Sequence, residues 1–135
     1  MGLRLSIVTP SRPLLDAEVE QVVAPGSEGE FGVLPGHAAL LVRLKAGVVR
    51  WTEAGRTRRA AISGGFAEVT QERCTVVAEE AIRLSEADRA EAEERVRETR
   101  AVLEGLTADE ERSVAKRRVD IAEALLAAID RGHAH

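Results

Sequence analysis

The chain has 135 residues, 44% of them hydrophobic and 31% charged, with a formal net charge of −4. That length suits one modest core with a small appendage and excludes a large multidomain enzyme. The acidic balance and 2% aromatic content argue against a nucleic-acid binder, which needs a basic face and stacking rings.

Leu3, Leu5 and Ile7 alternate with Arg4, Ser6 and Val8, the period-two pattern of a strand with one buried face. MGLRLSIVTP has no long apolar stretch and no small-residue cleavage site, so a secretory leader is not expected there. Pro10 and Pro13 cannot sit inside a ladder and mark a connection. Leu14 to Ala24 is expected as one further strand, with Ala17, Val19 and Gln21 on one face and Glu18, Glu20 and Val22 on the other. The segment Gly26 to Ala39, GSEGEFGVLPGHAA, follows. Gly26, Gly29 and Gly32 allow positive φ or close backbone approach, and Pro35-Gly36 reads as the middle of a tight turn. This is expected to be a shaped loop, either a solvated turn with Phe31 tucked into the core or a contact loop carrying Glu28 and Glu30.

Beyond it, Leu40 to Leu44, Val48 to Trp51, Thr57 to Ile62, Phe66 to Val69 and Thr75 to Val77 are short β-favouring runs. Turn signals at Ala46-Gly47, Glu53-Ala54-Gly55, Gly64-Gly65 and Gln71-Glu72 separate them. Many short strands at this spacing predict a sandwich or flattened barrel. Cys74, the single cysteine, has no internal disulfide partner and is expected as a small packed residue, with a nucleophile as the alternative.

The composition then changes. Residues up to Leu84 hold ten basic and ten acidic side chains, and those from Ser85 hold nine and thirteen, so the acidic excess lies in the tail. Ser85-x-x-Asp88 and Thr107-x-x-Glu110 read as capping boxes, and Gly105 as the C′ residue between them. Two helices, about 86–104 and 108–130, are predicted to form an antiparallel hairpin. The first offers a thin apolar side of Ala87, Ala90, Ala92, Val96, Val102 and Leu103. Val114, Ile121, Ala122, Leu125, Leu126 and Ile129 supply the second more generously. The hairpin is therefore expected to attach modestly and to be able to leave its docking surface. The expected organisation is α+β, with a β domain over 1–84 and a helical hairpin over 85–135.

No catalytic constellation emerges. His37 lies in a turn and His133 and His135 at the terminus, with no spacing that suggests a triad, a metal box or a Walker loop. The glycine-rich segment is a poor phosphate cradle because Glu28 and Glu30 repel anions. Arg112, Lys116, Arg117 and Arg118 form the one charge cluster of note, either a solvated face or a docking strip for an acidic partner. No apolar run approaches the ~20 residues that cross a bilayer, so a membrane link is expected only through partners.

The loop pattern, Gly26, Gly29, Gly32, Pro35, His37 and Ala38 followed by Ser63-Gly64-Gly65, resembles that of the epsilon subunit of the rotary F-type ATP synthase, as do CTVVAEEAIR and the chain at large. The resemblance implies a ten-stranded β-sandwich followed by a two-helix hairpin, folded against it or extended. It implies a non-catalytic stalk subunit that couples proton flow to ATP synthesis and restrains ATP hydrolysis when the helices extend. It further implies contact with the gamma subunit, with the ring of c subunits through Ser27, Glu28, Gly29, Glu30 and Phe31, and with the alpha/beta catalytic head through Arg112, Lys116, Arg117 and Arg118. Gly26, Gly32, Pro35, Gly36 and His37 would shape the contact loop. Location at the cytoplasmic face of a bacterial inner membrane is implied as well. An ATP motif known in some members is matched only in part, by Arg89 and Ala90, with Ser85 and Glu86 standing where an aliphatic residue and an Asp are expected, so no cofactor is expected. The rival readings are a free-standing β-sandwich adaptor with a partner-binding tail, and an enzyme with a site near His37.

Overall fold

The computed structural model describes residues 2–133, His133 by its backbone alone; His135 and the side chain of His133 lie outside the described residues. Ten strands come first: β1 Leu3–Val8, β2 Pro13–Val19, β3 Gln21–Gly26, β4 Gly29–Val33, β5 Leu40–Leu44, β6 Gly47–Glu53, β7 Arg56–Ile62, β8 Gly65–Val69, β9 Arg73–Val77 and β10 Ala81–Arg83. A single 3-10 turn, Leu84–Glu86, leads to helices α1 Arg89–Glu104 and α2 Asp109–His133.

The strands run in the order β10-β7-β6-β3-β5-β8-β9-β1-β2, with β4 paired to β3 alone. β3 and β5 share only the pair Gly26↔Leu44, and there the sheet folds over into two layers. The far edge returns, with β2 approaching β6 and β10, so the sandwich is nearly closed. All pairings are antiparallel except β1 with β9. Between the layers sits one apolar core that includes Leu3, Leu5, Ile7, Val22, Val33, Trp51 and Ile62, all buried. No residue of either helix belongs to it.

β1 alternates as its sequence dictates, with Leu3, Leu5 and Ile7 fully buried. Pro13 is tolerated because it opens an edge strand. The predicted single strand over Leu14 to Ala24 is corrected to two. Val19 and Val22 are both buried, an odd and an even position that one unbroken strand would place on opposite faces. The chain breaks at Glu20, whose N–H donates to the Thr52 carbonyl at 2.8 Å. β10 had no clear period-two signal over its three residues and was not predicted.

The helix boundaries shift for local reasons. Asp88, not Ser85, caps α1, its carboxylate accepting from the Glu91 N–H at 3.1 Å. Gly105 closes that helix with φ −84°, in the right-handed region and not as a left-handed C′ residue. The first bond of α2 runs from the Arg112 N–H to the Ala108 carbonyl at 2.9 Å, which gives the N-cap place to Ala108 in place of Thr107.

The hairpin lies on the outer face of β6 and β7. Ala61, Ala92, Ile121, Leu125 and Ile129 form a second apolar cluster, edged by Ile82, Leu84, Ala87 and Leu126. It holds three large aliphatic side chains, far fewer than the sandwich core. Ala90, Val102 and Val114, expected on the apolar side, are exposed, while Ala115, Val119 and Ala128 are buried instead. Ion pairs Arg89–Asp130 and Arg100–Glu123 tie the two helices together.

Candidate functional site

The segment expected as a loop is in fact a β-hairpin with a shaped continuation. Gly26 and Gly29 are register partners, so Ser27 and Glu28 alone make the turn between β3 and β4. Gly29 takes φ +137°, and a Cβ on Gly26 would stand 2.6 Å from the Gly29 carbonyl oxygen. Both positions therefore require glycine, whereas Gly32 sits in β4 with nothing nearer than 3.9 Å. The Ser27 N–H donates to the Arg43 carbonyl at 2.9 Å, fixing the turn to β5.

Ser27, Glu28, Gly29 and Glu30 are exposed at this tip. Phe31 is not: it is half-buried, packs against the sandwich core and lies beneath Gly26. Glu30 accepts from Arg50 Nη1 at 2.9 Å in an ion pair about half exposed on both sides. After β4, the Gly36 N–H donates to the Gln71 carbonyl at 2.8 Å and the His37 N–H to the Leu34 carbonyl at 3.1 Å. His37 Nδ1 donates to the Ala38 carbonyl at 2.7 Å. Its ring thus serves turn backbone.

The members of the basic run hold different partners in the docked hairpin. Arg112 Nη1 donates to the carbonyls of Leu103 and Leu106, both at 2.9 Å, so it closes the end of α1 and the inter-helix turn. Lys116 pairs with Asp120. Arg117 joins Arg112 and Lys116 in lining one cleft, and with Arg118 it also lines a second, of about 190 Å³, shared with Ser63, Glu79 and Glu80. In the partial ATP motif, Glu86 lies in the 3-10 turn, Ala90 is exposed, and the Arg89 guanidinium is held by Asp130 at 2.8 Å and Glu93 at 3.4 Å.

Two features were missed in the sequence. Arg59, on β7, donates to the Ala128 carbonyl of α2 at 2.8 Å, across 69 positions of chain. Leu41, Phe66 and Val77 form an exposed apolar strip on the outer face of β5, β8 and β9, with Arg43 stacked 5.7 Å over the Phe66 ring. The alternation of β5 and β8 carried that signal, since an apolar residue at an outward position stands out.

A cleft of about 770 Å³ is lined by Glu30, Lys45, Arg50, Arg59 and Arg131 among others. One carboxylate already in an ion pair and four cations do not make an acid–base pair. Among the described residues, no three His, Cys, Asp or Glu side chains are placed to hold a metal, and no helix is long and apolar enough to cross a membrane. Cys74 is buried, and burial pushes its thiol up to about 11, which makes it a packed residue and a poor nucleophile.

Residues 2–84 match the family described as ATP synthase, Delta/Epsilon chain, beta-sandwich domain. The chain belongs to the ATP synthase epsilon family. Among its relatives, the ATP synthase epsilon chain of Granulibacter bethesdensis is 47% identical over 98 residues, covering 72% of this chain and 73% of that one. The epsilon chain of Rhodospirillum rubrum is 42% identical over 123 residues, 90% of this chain and 92% of that one. A chain in the structure of the Euglena gracilis mitochondrial ATP synthase superposes with a TM-score of 0.74 at 27% identity, over 95% of this chain and 81% of its own. A Tetrahymena thermophila central stalk and c-ring structure shares the fold with a TM-score of 0.60 at 15% identity. As an epsilon-family member the chain is a non-catalytic subunit, in keeping with a surface that offers turns, strips and a docked hairpin.

Proposed function

We propose that this epsilon-family chain works as a rotor part of the central stalk, held between partners and coupling proton passage through a c ring to ATP synthesis. The β3–β4 turn, Ser27 to Phe31, meets the c ring through Glu28 and Glu30, with Phe31 acting mainly as the anchor that holds the turn. The apolar strip of Leu41, Phe66 and Val77 offers the gamma subunit a surface that water alone would cover poorly. The chain is peripheral and reaches the cytoplasmic face of a bacterial inner membrane through these partners.

The second part of the proposal is regulatory. Residues 1–84 and 85–135 act as separate units, and the hairpin leaves the sandwich to meet the alpha/beta head and restrain hydrolysis. Arg117 and Arg118 contact acidic segments there directly, whereas Arg112 and Lys116 act only after giving up the partners they hold in the docked form. The observation that carries this reading is the small cluster under the hairpin, which shares no residue with the sandwich core.

Deleting Thr107 onward is the test. The reassembled complex should hydrolyse ATP faster while the sandwich keeps its β-sheet circular dichroism. Loss of that sheet signal, or unchanged hydrolysis with the truncated chain bound, would count against the proposal.

A further inference from the structure

We propose that the Glu30 carboxylate governs how firmly the helical hairpin sits on the sandwich, so that whatever engages the β3–β4 turn is felt at the far end of α2. The coupling itself lies within this chain; its use in the assembled complex rests on the reading that this turn meets the c ring.

The geometry is continuous. Arg50 on β6 donates to Glu30 at 2.9 Å. Arg50 and Arg59 stand directly opposite each other in the β6–β7 ladder, a like-charge pair that disfavours itself unless offset. Arg59 reaches up to α2 and donates to the Ala128 carbonyl at 2.8 Å. Its guanidinium passes so close to Gly132 that a Cβ there would lie 2.2 Å from Nη2. When α2 docks, it brings Arg131 into the cleft that already holds Lys45, Arg50 and Arg59. Glu30 is the one carboxylate among the residues lining that cleft.

Docking therefore adds a fourth cation to a basic cleft, and Glu30 offsets part of the repulsion. The carbonyl-rich end of α2 favours Arg59 through its partial negative charge, but that attraction is opposed as soon as Arg50 loses its counter-charge. A partner that draws the Glu30 carboxylate to itself leaves the cleft more positive and loosens the hairpin. Because the Glu30–Arg50 pair is about half exposed, the effect is modest, a shift and not an on–off switch.

Ala61 is fully buried beneath the hairpin, so the full chain carrying Ala61→Cys exposes that thiol only when the hairpin leaves. Its labelling rate by a thiol reagent reads the undocked population, with the native Cys74 chain as the blank. Glu30→Gln should raise that rate about two- to fivefold, and Arg59→Gln or Arg131→Gln should abolish the increment that Glu30→Gln adds. A second reporter, Ala92→Cys on α1, repeats the measurement if Ala61→Cys disturbs packing. An unchanged rate in Glu30→Gln, or an equal increment in the Arg59→Gln and Arg131→Gln backgrounds, would overturn the coupling. No c ring is present in this measurement, so its failure is separate from failure of the ring-contact reading, which cross-linking of the turn in the assembled complex decides.

Discussion

Replacing Leu125 by alanine should release the hairpin and leave the sandwich intact. Leu125 is 3% exposed and sits between Ile121 and Ile129 in the cluster against Ala61. The change removes three carbons, roughly 2.5 kcal/mol of transfer free energy at ~0.8 kcal/mol per CH₂. The cavity left behind raises the total to about 3–5 kcal/mol. The three large aliphatic side chains of the dock contribute roughly 5–9 kcal/mol before any entropy is charged against them, so one substitution removes about half of the gross attachment. Hydrogen exchange followed by mass spectrometry provides the assay. Amides of α1 and α2 should exchange on the order of 100-fold faster, since an isolated hairpin of this length is marginal in water. Amides of β1, β8 and β9 should exchange as before, because no helix residue enters their core. Equal acceleration in the strands and the helices would show one cooperative unit and refute the reasoning.

Gly65→Ala should destabilise the sandwich severely, because φ is +137° and the new Cβ would stand 1.9 Å from the Val77 carbonyl oxygen; thermal unfolding would show a lowered midpoint, and an unchanged one would contradict the register of β8 and β9. Burial raises the Cys74 thiol from 9.0 to about 11. The folded chain thus holds a proton that the unfolded chain releases, and stability should be fully present below pH 9 and fall between about pH 9 and 11; Cys74→Ala should flatten that decline in urea titrations, and an identical decline in the variant would refute the assignment. Arg112→Ala should weaken the inter-helix turn by about 1 kcal/mol through two lost carbonyl bonds, whereas Arg117→Ala with Arg118→Ala should leave unfolding unchanged and raise ATP hydrolysis by the assembled complex. Indistinguishable behaviour of the two variants would contradict this separation of roles.

Much of the sandwich was legible because the relevant signals are local. Alternation in Leu3 to Val8, glycine pairs at turns and β-branched runs report on nearest neighbours along the chain. The break at Glu20 was hidden because Ala17, Val19 and Gln21 keep a regular alternation into the joint, and only the Thr52 carbonyl across the ladder turns the backbone there. The Asp88 cap was hidden because Ser85-x-x-Asp88 reads as a box begun by the serine, whereas the chain leaves β10 through the Leu84–Glu86 turn before α1 starts.

The site divided along the same line. Glycine spacing pointed to the β3–β4 turn, since Gly26 and Gly29 meet backbone within a few residues. The partners of its charges lie far along the chain: Glu30 finds Arg50 twenty positions on, and Arg59 finds Ala128 after 69. Periodicity cannot report pairs at such separations. In the basic run, Arg112, Lys116 and Arg117 line one cleft, and Arg117 and Arg118 line a second beside Glu79 and Glu80.

The central claim is that the β3–β4 turn bears on the membrane ring while the hairpin above it docks and leaves. A cysteine in place of Glu28, cross-linked in the assembled complex in detergent-solubilised membranes, tests it most directly. The account predicts a covalent product with the c subunit and retained ATP-driven proton pumping once that link forms, because the chain and the ring turn together. An intact complex whose residue 28 reacts freely with a soluble thiol reagent and yields no such product would contradict it.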